Sequence, residues 1–316
     1  MRRLYKHIAR CLVGCATGAA KTALLAAGVL VLASCSKEDL NDVSVIKDHP
    51  QNTTAFDKWL DVNYMQPYNI RLKYRLEDGE TNFTYTLVPA ETGNSIKLSR
   101  IILHTWLQAY DEVAGKSFTC RLAPKVIQFV GSVAWQTDNS AIMGQAEDGM
   151  KITLFGVNQL KMTRSFLNAN YFQSMHHEFT HIMTQSKNYD PDFQKISEGK
   201  YEPAEWYTSG HNTETYALQK GFISCYAMSE YNEDFAEMLA FYLIYTQAEW
   251  DAKMKTADAA YVEGSGKKPS EIIGQKLSMV RSYMLSAWDI DIQKLRTVVQ
   301  RRMDEVVDGT VKVDEL

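Results

Sequence analysis

The stretch Ser174-Met175-His176-His177-Glu178-Phe179-Thr180-His181-Ile182-Met183 decides how this chain is read. It contains HExxH, at His177, Glu178 and His181. On a helix, residues four apart lie on one face a turn apart, so the two imidazoles can reach a single ion. Zinc favours imidazole nitrogen in tetrahedral geometry. Glu178, rotated about 100° from His177, stands off the ligand line but within reach of a water beside the ion. Phe179, Ile182 and Met183 give the helix an apolar side that can hold such a site rigid. The spacing predicts a helix over residues 170–185. His176 falls outside the pattern, faces elsewhere, and reads as an ordinary polar or half-buried histidine.

A catalytic zinc takes three protein ligands and leaves a fourth place for water. A metzincin continuation would need Gly and His three and six residues after the second histidine; Thr184 and Lys187 stand there. Downstream, Asn232-Glu233-Asp234-Phe235-Ala236-Glu237 resembles the second motif of gluzincins, in which a Glu binds the metal. The resemblance makes Glu233 the third ligand. Glu237, one turn on, suits a place behind a zinc-bound imidazole, with Asp234 a weaker candidate. Phe235, Met238, Leu239 and Phe241 mark this helix, expected over 232–255, as a core element. Tyr226 precedes Glu233 by seven residues, either two helical turns or a turn apart. The pattern Tyr226-Ala227-Met228-Ser229 before the Glu motif is similar to that of the anthrax lethal factor catalytic domain and related gluzincins. That similarity implies that Tyr226 faces the zinc and stabilises the tetrahedral intermediate. Tyr216 and Tyr231 are less favoured alternatives, and His211 is a surface residue or a substrate contact.

Further out, the chain has 316 residues, 45% hydrophobic and 23% charged, which excludes wholesale disorder and leaves ample material for a core. Its formal charge of −4 conceals an asymmetry. Residues 1–35 carry five basic groups and no acid, so the rest has 29 basic groups against 38 acidic ones. A polyanion such as nucleic acid is repelled on average. The run 22–33, TALLAAGVLVLA, is about 18 Å long as a helix, too short for roughly 30 Å of hydrocarbon. A basic region followed by a short apolar one describes a secretory signal peptide. Its end, Leu32-Ala33-Ser34-Cys35, resembles a bacterial lipobox, which implies acylation of Cys35. Ser36-Lys37-Glu38-Asp39 resembles a signal for the outer face of the outer membrane, and 36–50 reads as a tether. With Cys11, Cys15 and Cys35 assigned to the leader, Cys120 and Cys225 remain, either paired or as two separate thiols.

The body, 51–316, reads as one α+β domain: a mixed part over 51–165 and a helical part over 166–316. Helices are expected over 56–64, from a cap at Ser99 to about 114, over 270–284 and over 289–307. Strands are expected over 69–76, 83–88, 125–130 and 151–155, with a turn at Asp78-Gly79 between the first two. Residues 187–212 read as a long loop. The strand at 151–155 is either an edge strand above the active-site helix, open to strand addition by a peptide, or a buried central strand.

Both motifs, the lipobox, and the segments Asp57-Lys58-Trp59-Leu60 and Pro67-Tyr68-Asn69-Ile70-Arg71-Leu72-Lys73-Tyr74-Arg75 together resemble one family. These are the substrate import-associated zinc metallohydrolase lipoproteins, encoded beside TonB-dependent nutrient importers of Gram-negative bacteria. The resemblance spans about residues 35–290. It implies a zincin-like fold, one Zn2+, surface attachment through lipid only, and importer components as partners. A zinc peptidase acting on peptide or protein is the expected activity. Two alternatives stand beside it: a non-catalytic lipoprotein that captures peptides or glycopeptides, and a zinc amidase for a non-peptide or cell-wall amide.

Overall fold

The computed structural model describes residues 53–77, 85–135, 141–142, 144–147, 150–264 and 266–315. Cys35, the leader before it, the tether 36–50 and the Asp78-Gly79 turn lie outside these residues. The described residues open with a capping box. Thr54 Oγ1 accepts from the Asp57 amide, and the Asp57 carboxylate accepts from the Thr54 amide, opening α1 (Ala55–Leu60). The helix continues through a π-helical turn (Asp61–Met65) and a last turn (Gln66–Tyr68) to Asn69, whose φ of 57° is left-handed and ends it.

The strand expected over 69–76 therefore shrinks to β1 (Arg71–Lys73). Its partner is not 83–88. The described part of that segment, 85–88, forms no strand. Its end is instead tied to Gly131, whose amide donates to the Val88 carbonyl at 2.8 Å. A Cβ at Gly131 would collide with the Pro89 carbonyl, so only glycine allows this approach.

The next helix also starts earlier than expected. It runs as α2 (Thr92–Ile102), a π-helical turn (Leu103–Leu107) and α3 (Gln108–Ala114), followed after Gly115 by α4 (Lys116–Leu122). Ser99 is buried inside α2 and is not a cap; its Oγ donates to the Ile96 carbonyl at 2.8 Å.

Five more strands follow: β2 (Val126–Phe129), β3 (Ala134–Trp135), β4 (Ala141–Ile142), β5 (Gly144–Glu147) and β6 (Lys151–Leu154). One sheet has the order β1-β2-β6-β5, and β3 pairs with β4 in a separate ribbon. β1, β2 and β6 are parallel, while β5 runs antiparallel to β6 with Gly144 opposite Leu154. The segment at 151–155 is thus a central strand and not an edge. Ile152, Thr153 and Leu154 are buried on both of its faces. The edge is β5.

The second half is helical. Thr163 caps α5 (Arg164–Leu167), which passes through a π-helical turn (Asn168–Phe172) into α6 (Gln173–Ser186), the HExxH helix. Then come α7 (Asp192–Ile196), α8 (Glu214–Lys220), a 3-10 turn (Tyr226–Met228) and α9 (Tyr231–Ile244). The single helix expected over 232–255 is two. Tyr245 is extended, and a Thr246–Glu249 capping box starts α10 (Gln247–Asp258). Last are α11 (Pro269–Trp288) and α12 (Ile292–Val307), separated by Asp289 at a left-handed φ of 57°. The fold is mixed α and β, with a helical majority and a small, mainly parallel sheet.

One continuous apolar core joins both halves. At its centre Phe179 of α6 meets Trp106, Tyr110 and Phe118 edge-on, with ring centroids 5.3, 4.8 and 6.0 Å away. Such pairs add about 0.5–1.5 kcal/mol each beyond their burial. This packing fixes the rotation of α6, and β5 runs alongside the same helix. Cys120 and Cys225 are separate thiols. No helix among the described residues is long and apolar enough to cross a membrane.

Candidate metal centre

With Phe179 committed to the core, His177 and His181 project from another side of α6, toward α9. Helix α9 is buried on nearly every face, and its position is fixed by contacts around its girth. Phe235 stacks on Tyr189 at 4.1 Å and meets Phe193 at 5.0 Å. That leaves Glu233 and Glu237, one turn apart, facing α6.

Three donor atoms converge between the helices. His177 Nε2 and His181 Nε2 are 3.0 Å apart, and Glu233 Oε2 lies 2.9 Å from the first and 3.2 Å from the second. In a tetrahedral zinc site with bonds of about 2.0–2.1 Å, donor atoms stand about 3.3–3.4 Å apart. Two imidazoles and one carboxylate in a slightly tighter triangle fit that ion with little movement. The donor chemistry agrees, since two imidazole lone pairs 3.0 Å apart repel unless a cation or proton lies between them. His177, Glu178 and His181 also offer ligand atoms that all lie within 4.8 Å of one another.

The Glu233 carboxyl starts the first turn of α9, where the helix dipole favours negative charge. Burial pushes it upward, but His177 and His181 outweigh that and hold it at about 2. For His177, burial favours the neutral form, yet Glu233 and Glu237 raise the imidazole to about 10. The metal-free site therefore carries a proton that a cation would displace. Behind His177, Nδ1–H donates to Glu237 Oε1 at 2.7 Å, leaving Nε2 as the atom presented to an ion. Glu237 is in turn held by Ser224 Oγ, which donates to Oε2 at 2.6 Å, and by Gln173 Nε2. Burial raises the Glu178 carboxyl, against the pull of His177 and His181.

Tyr226 reaches this site from its 3-10 turn. Its phenol is close enough to Glu233 to feel that charge, and its ring lies 5.8 Å from that of His177. Burial, then the charges of Glu233 and Glu178, push the phenol pKa up, so it is a proton donor at neutral pH.

A family described as "Putative zinc-binding metallo-peptidase" matches residues 49–293. The chain belongs to this family. A crystal structure at 2.10 Å, described as a putative zinc-binding metallo-peptidase from Bacteroides caccae ATCC 43185, is similar to it. The TM-score is 0.71 at 39% identity, over 86% of this chain and 99% of that one. Among functionally curated proteins, none matches.

Other sequence candidates of this zinc-binding metallo-peptidase family member lie elsewhere. Asp234 is turned away from the triangle, and its Oδ2 pairs with Lys276 Nζ at 2.6 Å with both side chains fully buried. His176 is buried against the Tyr110 hydroxyl at 3.2 Å, and burial lowers it to about 3. His211 pairs with Glu202 at 2.6 Å, and the Tyr216 hydroxyl donates to Glu202 at 3.0 Å. Tyr231 opens α9 and is partly exposed. Gln173 and Ser224 were not foreseen. Gln173 carried a signal, since it stands four residues before His177, on the same face of α6. Ser224 carried none that a single sequence displays; its Oγ also accepts from the Ala227 amide at 3.1 Å and so builds the turn that presents Tyr226.

Proposed function

We propose that this chain is a zinc-dependent hydrolase that cleaves peptide bonds, with a gluzincin-type site on a zincin-like fold. The observation that carries the reading is the triangle of His177 Nε2, His181 Nε2 and Glu233 Oε2, with Glu178 beside it and Glu237 behind it. These three residues would hold the zinc. When bound, zinc supplies Lewis acidity, making water acidic near neutral pH and polarising a carbonyl oxygen. Glu178, its carboxyl raised by burial, accepts the proton of the attacking water and delivers it to the leaving amine nitrogen. The Tyr226 hydroxyl donates to the oxyanion as charge develops there, a contribution worth about 2.7–4 kcal/mol when such a donor is removed. Glu237 keeps His177 in the tautomer that leaves Nε2 free. The antiparallel edge β5 beside α6 supports an extended peptide as substrate, because such an edge can bond a substrate backbone.

The proposal extends to location. The basic leader, its apolar run and Cys35 support lipidation and outer-membrane attachment on the cell surface, with components of a nutrient importer as partners. Cys35→Ser should then abolish labelling by a fatty acid and release the chain from membranes.

The test of the activity is incubation of the zinc-loaded chain with a diverse peptide mixture, new termini being read by mass spectrometry. Glu178→Gln should lower turnover about 10²–10⁴-fold while one zinc per chain is retained. Equal cleavage by Glu178→Gln would remove Glu178 as base. No cleavage by a zinc-loaded wild type would favour peptide capture or a non-peptide amide.

A further inference from the structure

A row of rings leads from the metal centre outward. The His177 imidazole is followed by Tyr226, then Trp206 at 5.1 Å from Tyr226, then Tyr207 at 5.5 Å from Trp206. Tyr207 is 54% exposed and Tyr226 39%, while Trp206 is half-buried between them. Exposing adjacent large rings costs hydration free energy that a covering apolar group recovers, so such a row marks a binding surface.

Of Glu202 and Glu205, Glu202 is engaged by His211, Tyr216 and Lys220, while the Glu205 side chain is 64% exposed and 3.9 Å from His211, so the ring row is the apolar surface that this loop offers next to the site. The row is also held in place. The Glu202 amide donates to the Met228 carbonyl at 2.7 Å, fastening the Trp206 loop to the Tyr226 turn, and the Tyr201 hydroxyl donates to Asp234 at 3.0 Å. A fixed aromatic wall one ring away from the ligand triangle is placed to receive the side chain next to a scissile bond.

We infer that Trp206 and Tyr207 form a specificity subsite for a large apolar side chain flanking the cleaved bond. The inference rests on the peptide-hydrolase reading and names its substrate preference.

The experiment uses the full zinc-loaded chain and a degenerate peptide library. Wild type, Trp206→Ala, Trp206→Phe and Tyr207→Ala are compared for the residues flanking each new terminus, with zinc content as the check on folding. Glu178→Gln, alone and combined with Trp206→Ala, is used to capture uncleaved peptides from the same library. Wild type should favour Phe, Leu or Met over Ala at one flanking position by about 10–100-fold, the scale on which an apolar pocket discriminates. Trp206→Ala should collapse that ratio to about 1–3-fold, Trp206→Phe should retain most of it, and the exposed Tyr207→Ala should lower it about threefold. An unchanged ratio in Trp206→Ala and Tyr207→Ala at full zinc content would overturn the subsite, as would a wild-type preference for small or charged residues. If wild type cleaves nothing but Glu178→Gln captures apolar peptides only while Trp206 is present, the subsite stands and the peptidase reading fails. Neither cleavage nor capture overturns both.

Discussion

Two sides of helix α9 carry carboxylates one residue apart, and the fold treats them oppositely. Glu233 faces His177 and His181 with its side chain 19% exposed, and its carboxyl is held at about 2. Asp234 faces Lys276 with no exposure on either partner; burial pushes its carboxyl up, Lys276 only partly offsets this, and the ammonium is pushed down. The adjacent histidines of α6 repeat the contrast. Burial lowers His176 to about 3, whereas two carboxylates raise the equally buried His177 to about 10. Burial alone therefore does not set the charge of these groups; the partner that the neighbouring helix supplies does. On the Glu233 side the partners leave a place for a cation. On the Asp234 side Lys276 already fills it, and its Nζ also donates to the Gly221 carbonyl at 2.9 Å.

The contrast predicts different failures on the two sides. Lys276→Met removes the cation from a carboxyl buried in the core, which should cost about 3–5 kcal/mol of unfolding free energy. Urea denaturation measures this, and the folded fraction should still bind one zinc. Glu233→Gln should do the reverse, losing zinc while moving the metal-free stability less than Lys276→Met does. A neutral Lys276→Met would show that the pair does not anchor α11 to α9.

A smaller effect sharpens the metal side. Glu237→Ala removes the acceptor behind His177 and should weaken zinc about 10–100-fold, read by competition with a chromophoric chelator. The smallest concerns pH. Because the metal-free His177 holds its proton up to about 10, zinc must displace it, while Glu233 at about 2 is already ionised. Affinity should rise at least about tenfold per pH unit between about 7 and 9, and calorimetry in buffers of different ionisation enthalpy should report at least one proton released. No proton release would break the contrast between His176 and His177.

Much of this site was legible beforehand because its signals are local. His177, Glu178 and His181 lie within one helical turn, and Glu233 and Glu237 within another. Fold details were less legible where competing local preferences were close. The segment 232–255 kept its apolar period straight through Tyr245, yet the Thr246–Glu249 box breaks the helix there. The alternation at 151–155 was compatible with an edge or a centre; pairing with β2 and β5 on either side made it the centre.

The sequence by itself determined that two imidazoles share one face of a helix with a carboxylate about 100° round from them, because a rise of about 1.5 Å and a turn of about 100° per residue are fixed by backbone geometry. It also determined that this helix has an apolar side with which to anchor itself. Only the tertiary structure decided that Glu233 closes the triangle while Asp234 turns to Lys276, that Ser224 and Gln173 brace Glu237, and that Trp206 comes to rest against Tyr226. Those pairings join residues from 13 to 64 positions apart, as from Ser224 or Gln173 to Glu237. They depend on which helices pack together and at what rotation, and that is set by the shared core around Phe179 and Phe235 and not by any local repeat.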